Sequence, residues 1–308
     1  IPFLIIDSYF EARALLNEGI KTPLLIIGYS TVEMLLANDL KNVMFTITNL
    51  DALHELSEKI YKPIKIHLKI DTGMHRQGIL IEEKEKAIEI IKSSPLIILG
   101  GICSHFADAD NDNDSFTSKQ IQKWNPIVDH FRSSFPSLKY WHISNTAGHS
   151  YPSATANLTR LGIGLYGLTR INGLNLQPAL RMETVISGIK KIKKGDAVGY
   201  GKTFIAEKDM TIATIPVGYY EGVNRRLSNK GSVKIGDCFC PIVGRVSMNI
   251  TTIDVSDIPN IQSNNRVMVI SDRTEDKNSV LNIAKDCNIL SYEVAVYVPQ
   301  HLRRVVVD

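Results

Sequence analysis

The chain has 308 residues, 44% hydrophobic and 22% charged, an ordinary balance for a globular enzyme and enough length for two cores. A formal charge of +3, with no basic run interleaved with aromatics, gives no footing for a nucleic-acid partner. Cys103, Cys238, Cys240 and Cys287 show neither zinc-like spacing nor a disulfide framework, so a reducing compartment is the default, and no apolar run approaches the roughly 18 residues of a membrane span.

The chain opens at Ile1, inside an apolar strand-like run without a signal-peptide pattern, and this reads as a truncated N-terminus. From there β-rich runs alternate with amphipathic stretches. The predicted strands are PFLIID (2–7), PLLIIG (23–28), VMFTIT (43–48), PIKIHLKI (63–70), LIILGGICSHF (96–106), LKYWHISN (138–145) and LTRLGIGLYG (158–167). Between them lie helical patterns such as SYFEARALLNEG, LDALHELSEKI and EEKEKAIEIIKSS, the last with Ala87, Ile88, Ile90 and Ile91 as an apolar stripe among charges. Regular alternation implies βα units and a parallel sheet. Seven strands are countable where eight close a barrel, so the economical fold is an α/β barrel of the (β/α)8 type whose first βα unit is absent from this chain. An open doubly wound sheet is the alternative. After about residue 176 the pattern shifts to short strands with turn residues, interrupted by the helix SVLNIAKDC (279–287). The expected organisation is therefore a barrel over residues 1–175 and a mainly β domain over 176–308.

A barrel carries its active site at the C-terminal ends of its strands. In KIHLKIDTGMHRQG, Ile64, Ile66 and Leu68 alternate with Lys65, His67 and Lys69, which sets an apolar helix-facing side against an inward polar side. Lys69, Asp71 and Arg76 then lie nearest the mouth, either as a solvated rim or as a site in which the inward lysine needs an anionic partner. His105 ends the next strand, Asn145 and Thr146 follow the one after, and Arg160 precedes Gly162 and Gly164. Hydroxyls and glycine amides at the last strand ends are what a barrel phosphate site requires. Two decoys fall away. DADNDND (108–114) spaces Asp108, Asp110 and Asp112 like a calcium loop but has Asn113 and Lys119 where Gly and Glu are needed. GDAVGYGKT (195–203) places five residues between its glycines where a P-loop has four.

Taken in order, HLKIDTGMHRQG, SHFADAD, HISNTAG, TRLGIGLYG, IPVGYYEG, VGRVSMN and SYEV resemble the motif series of the alanine racemases along the whole chain. The resemblance implies a barrel followed by a β domain, pyridoxal 5'-phosphate as cofactor, a small amino-acid substrate and a head-to-tail homodimer with shared active sites. It further implies a bacterial cytoplasmic enzyme that supplies D-alanine for peptidoglycan. Racemisation removes a proton from one face of the α-carbon and returns one to the other, so two bases are needed. By resemblance Tyr219 is one base, linked by hydrogen bonds to His105 and Arg160, with Arg160 facing the pyridine nitrogen. Thr146, with the amides of Gly162 and Ile163 and the neighbouring Asn145, corresponds to the phosphate cradle. Arg76 and the backbone amide of Met248 match groups that meet the substrate carboxylate. Lys69 matches a lysine that is often carbamylated.

Three departures stand out. No KANAYGHG-like segment, which in the family carries the cofactor-binding lysine and second base, occurs among the 308 residues. Asn249 stands where well-studied members carry Asp, and Gln300 where many have a tyrosine that narrows the entrance. The last two leave room for a serine-directed or broad-specificity racemase, and the first for a catalytically inactive fragment.

Overall fold

The computed structural model describes residues 1–111, 113–169 and 175–307. Its chain separates into two compact units, Ile1–Gly162 and Ile163–Asp308. The first unit holds one parallel sheet of six strands in sequential order: β1 (Leu4–Ile6), β2 (Leu24–Ile26), β3 (Val43–Ile47), β4 (Ile64–Lys69), β5 (Ile97–Cys103) and β6 (Tyr140–His142). Helices α1 (Tyr9–Asn17), α2 (Val32–Ala37), α3 (Leu50–Lys59), α4 (Lys84–Ser93) and α5 (Ser115–Ser134) follow the first five strands in turn. This is the βα alternation read from the sequence, in the form of a curled half-barrel. The curl is visible in side chains: the Phe3 ring, just ahead of β1, lies 5.1 Å from Tyr140 and 6.1 Å from His142 on β6, at the opposite edge of the sheet.

Local chemistry starts the helices where the sequence places them. Ser8, Thr31 and Asn49 each accept a hydrogen bond from a first-turn amide, which satisfies one of the donors a helix N-terminus leaves over. One face of each helix then buries apolar side chains: Leu53 and Leu56 of α3, Ala87, Ile88 and Ile91 of α4, and Trp124 and Phe131 of α5. They pack on Ile64, Ile66 and Leu68, the alternate residues of β4 assigned to the helix-facing side. Truncating a fully buried ring such as Trp124 to alanine costs about 3–5 kcal/mol, so this layer fixes the sheet beneath the site.

The seventh expected strand, residues 158–167, does not form. Asn157 gives one backbone bond to the edge of β6, to Trp141 O at 3.0 Å, and Arg160 one to Ser144 O beyond the strand's end, at 3.0 Å. Between them the Asn157 side chain takes over edge positions, accepting from Trp141 N and donating to Lys139 O. With Gly162 and Gly164 interrupting the run, the chain then turns into a short 3-10 helix at Ile163–Tyr166.

The second unit is mainly β. Gly188–Ile192, Met210–Ile215 and Thr251–Asp254 form an antiparallel sheet with Met210–Ile215 central, and Met182–Val185, Ser232–Ile235, Cys238–Pro241 and Arg266–Ile270 form another. The predicted helix appears as Val280–Cys287, started by Ser279 and closed by Asn288 in the left-handed conformation at φ 52°. A second helix, Ser291–Val296, contains the SYEV run. Among the described residues no helix is long and apolar enough to cross a membrane.

Candidate active site

The polar residues gather where the parallel strands end. Lys69 is the last residue of β4, Ser104 and His105 follow β5, and His142, the last residue of β6, leads into Asn145 and Thr146. A bulge in the β4–β5 pairing falls between Ile66 and His67, where Gly100 is inserted opposite β4. A side chain on Gly101 would sit 2.6 Å from His67 Cε1, so glycine there is what lets the imidazole lie flat on the neighbouring strand.

Arg160 is the hub. One nitrogen of its guanidinium, Nη2, donates to Ser104 O at 2.7 Å, to Ile143 O at 2.8 Å and to His105 Nδ1 at 3.0 Å. The other, Nη1, donates to His142 O at 2.9 Å and His142 Nδ1 at 2.8 Å. An arginine has donors only, so both Nδ1 atoms must accept and each ring carries its proton on Nε2. His142 Nε2 lies 3.0 Å from His67 Nδ1, so the His142 proton points at His67 and leaves the His67 proton on Nε2. That Nε2 is buried without a partner among the described residues.

The electrostatics follow from burial among cations. His105 falls to about 3, chiefly through desolvation and then through Arg160, Arg76 and Lys69. His67 also falls to about 3 by burial, helped by Lys65 and Arg160, and burial with Arg160 and His67 holds His142 well below the usual histidine range. All three rings are neutral near pH 7. Burial lowers Arg160 as well, yet a guanidinium starts so high that it keeps its charge. Its hydrogen bonds go to carbonyls and imidazoles, so the positive charge has no carboxylate bonded to it among the described residues.

Among the described residues, Lys69 Nζ donates to a neutral amide oxygen, Gln77 Oε1, at 3.1 Å. Without a carboxylate in contact, burial pushes the ammonium down, and Arg76 and Arg160 push it the same way. Arg76 itself is exposed. Asp71 shapes the loop that carries it: its Oδ1 accepts from Gly73 N at 2.7 Å and His75 N at 3.2 Å, and His75 takes φ 52°. Downstream, Thr146 Oγ1 accepts from Gly162 N at 3.1 Å, which brings two predicted cradle groups together. Asn145 Oδ1 is used locally, accepting from Gly148 N at 2.8 Å. Asp112, from the rejected calcium pattern, lies outside the described residues.

Sequence reading did not single out the groups that brace this cluster. Gln120 of α5 donates to His105 O at 3.0 Å and to Thr72 Oγ1 at 3.1 Å, and accepts from Ala107 N at 2.9 Å. Thr72 in turn pairs with Ser104 at 2.8 Å. This brace holds the loop that presents His105. In the second unit, Ile163 opens the 3-10 helix at Ile163–Tyr166, Tyr219 opens another at Tyr219–Glu221, and Met248 sits on a loop beside it; Tyr219 and Met248 are 44% and 54% exposed.

A strand–helix sheet with a cationic, imidazole-lined cluster along its C-terminal edge, followed by a β domain, is the architecture of a barrel-type enzyme. Family comparisons cover nearly the whole chain. The family described as alanine racemase, N-terminal domain, matches residues 3–170, and alanine racemase, C-terminal domain, matches residues 179–306. Alanine racemase 2 of Oceanobacillus iheyensis is 34% identical, covering 98% of this chain and 79% of that protein. Alanine racemase 1 of Clostridium acetobutylicum is 33% identical over 96% of this chain and 79% of its own length. Among solved structures, alanine racemase from E. faecalis superposes with a TM-score of 0.86 at 26% identity, covering 97% of this chain and 82% of that one. The chain belongs to the alanine racemase family.

Proposed function

We propose that the protein interconverts L-alanine and D-alanine with pyridoxal 5'-phosphate, residues 1–175 forming the cofactor-binding part and 176–308 the β domain. The observation that carries this reading is Arg160: a guanidinium bonded only to carbonyls and to imidazole Nδ1 atoms, with no carboxylate bonded to it among the described residues. Such a donor set suits a ring nitrogen that must stay unprotonated. Thr146 and the amides of Gly162 and Ile163 would hold the phosphate, with Asn145 beside them, and Arg76 and the Met248 amide would meet the substrate carboxylate. When bound, the cofactor supplies an electron sink for the α-carbon.

The chain's own residues supply orientation and protons. Arg160 cannot release a proton at working pH, which limits the strength of that sink and so favours return of the proton over side reactions. Tyr219 takes and returns the proton on one face through its hydroxyl. Arg160, with neutral His105, is the group we assign to orient that hydroxyl. The second base implied by the resemblance, a lysine in a KANAYGHG-like segment, has no counterpart among residues 1–308. Lys69 would be carbamylated, converting the depressed ammonium into an anion that orients Arg76. Exposure of Tyr219 and Met248 on the second unit supports a head-to-tail homodimer in which they complete the partner's site. The assignment as a cytoplasmic bacterial enzyme that feeds peptidoglycan synthesis rests on the family alone.

Gln300, exposed in the position of the entrance tyrosine, favours a second reading: a racemase acting on serine or on several amino acids. Initial rates on L-alanine, L-serine and L-lysine with pyridoxal 5'-phosphate separate the two. Alanine as the fastest substrate supports the first reading, and comparable or faster serine turnover replaces it with the second.

A further inference from the structure

We propose that Glu221 and Asn249 act as a positioning pair that fixes Tyr219 against Met248, a role that rests on the reading of Tyr219 as a proton-transferring group. Glu221 closes the 3-10 helix Tyr219–Glu221 and Asn249 lies on a separate loop, and the two segments meet edge to edge. Tyr219 N donates to Ser247 O at 3.0 Å and Tyr220 N to Met248 O at 2.9 Å. Thr251 Oγ1 adds a bond to Val217 O at 2.7 Å. The approach is so close that a side chain on Gly218 would strike the carbonyl oxygens of Ser247 and Met248.

Glu221 ties this junction from both sides. Its carboxylate is buried, and an ionised carboxylate is acceptor-only. One oxygen, Oε2, accepts from Gly218 N at 2.7 Å, immediately before Tyr219. The other, Oε1, accepts from Asn249 Nδ2 at 2.7 Å, immediately after Met248. The pair therefore brackets both functional positions and sets how the Tyr219 loop sits on the Met248 loop. It also accounts for the amide at 249. A carboxylate there would present a second acceptor and a like charge at 2.7 Å from Glu221, with no donor between them.

The chemistry is asymmetric and so testable with isosteric changes. In Glu221→Gln, the one remaining side-chain oxygen can keep the bond from Gly218 N, and Asn249 can turn its own oxygen toward the new amide, so little is lost. In Asn249→Asp, two acceptors face each other. The double variant restores one donor and one acceptor in reversed order. The probe is a fluorotyrosine placed at position 219 of the full chain and read by fluorine NMR, with thermal midpoints as the fold control. We expect a single narrow line for the parent, for E221Q and for the E221Q/N249D double variant, and a broadened or split line with a lowered midpoint for N249D alone. An N249D line identical to the parent's, or a double variant as perturbed as N249D, overturns the pairing. If this pattern holds while Tyr219→Phe leaves alanine turnover unchanged, the pairing stands and the catalytic reading of Tyr219 is the part overturned.

Discussion

Arg160 Nη1 approaches His142 Nδ1 at 2.8 Å, and this one contact dictates the proton positions in two buried imidazoles. The arginine can only donate, so His142 and then His67 are both held in the Nε2–H form. Nitrogen NMR of the protein near pH 7 should show both rings neutral with Nε2 protonated. A protonated Nδ1 on His142 would contradict the arrangement. Replacing His67 by Leu removes the acceptor for the His142 proton and should lower unfolding free energy by about 1–3 kcal/mol in denaturant titrations, beyond any packing loss.

Acid should destabilise the first unit through the same rings. His67 is neutral in the fold to about 3, whereas the unfolded ring takes up its proton near 6.5. The folded value is depressed, so the unfolded state binds more protons as pH falls. Stability is full above about pH 6.5 and is lost toward pH 3, by at most about 1.4 kcal/mol per pH unit for each such histidine. His67→Gln should flatten this limb in melts taken across that range, and an unchanged slope would count against it.

Lys69 should carry a carboxyl adduct. A buried amine whose ammonium form is disfavoured by desolvation, Arg76 and Arg160 spends more time as the free base that reacts with carbon dioxide. Intact mass of the protein in bicarbonate buffer should show one added carboxyl group, lost in Lys69→Met. A wild-type mass without the adduct would contradict carbamylation.

Arg160→Glu should retain the cofactor but shift the outcome of the reaction. An acidic partner permits protonation of the ring nitrogen and strengthens the electron sink, so transamination should gain on racemisation by about tenfold, or about 1.4 kcal/mol in barrier difference. An unaltered ratio of pyruvate to D-alanine would refute that role.

In the second unit, Lys234 Nζ meets Asp276 Oδ2 at 2.8 Å with both side chains under 10% exposed. Ser271 also donates to Oδ2, at 2.6 Å. Lys234→Met leaves a buried carboxylate without its cation and should cost about 3–5 kcal/mol of stability, measured by chemical denaturation. A loss under about 1 kcal/mol would place the pair effectively in solvent.

Much of this molecule is legible in its residues, and the exceptions have physical causes. The β4 alternation correctly separates Ile64, Ile66 and Leu68, which face helices, from His67 and Lys69. His105 and Arg160 are readable as a pair because each lies in a specific motif, and the structure brings them to 3.0 Å even though no strand forms at 158–167. His142 and His67 are not, because a histidine inside a β-rich run looks like any core residue until its ring partners are known. Gln120 is hidden for another reason: its contact with His105 O spans 15 residues and depends on the path of a loop into α5. The run 158–167 misleads because its apolar residues favour a strand, while Asn157 and the glycines replace the ladder with side-chain bonds and a turn.

The most direct test of alanine racemisation with Tyr219 as a base is conversion of L-alanine to D-alanine, followed with saturating pyridoxal 5'-phosphate in the protein and in its Tyr219→Phe variant. The account predicts steady formation of D-alanine that falls by about 10²–10⁴-fold in the variant, the usual worth of a positioned acid–base group. No interconversion by the unaltered protein, or an equal rate in both, would contradict it.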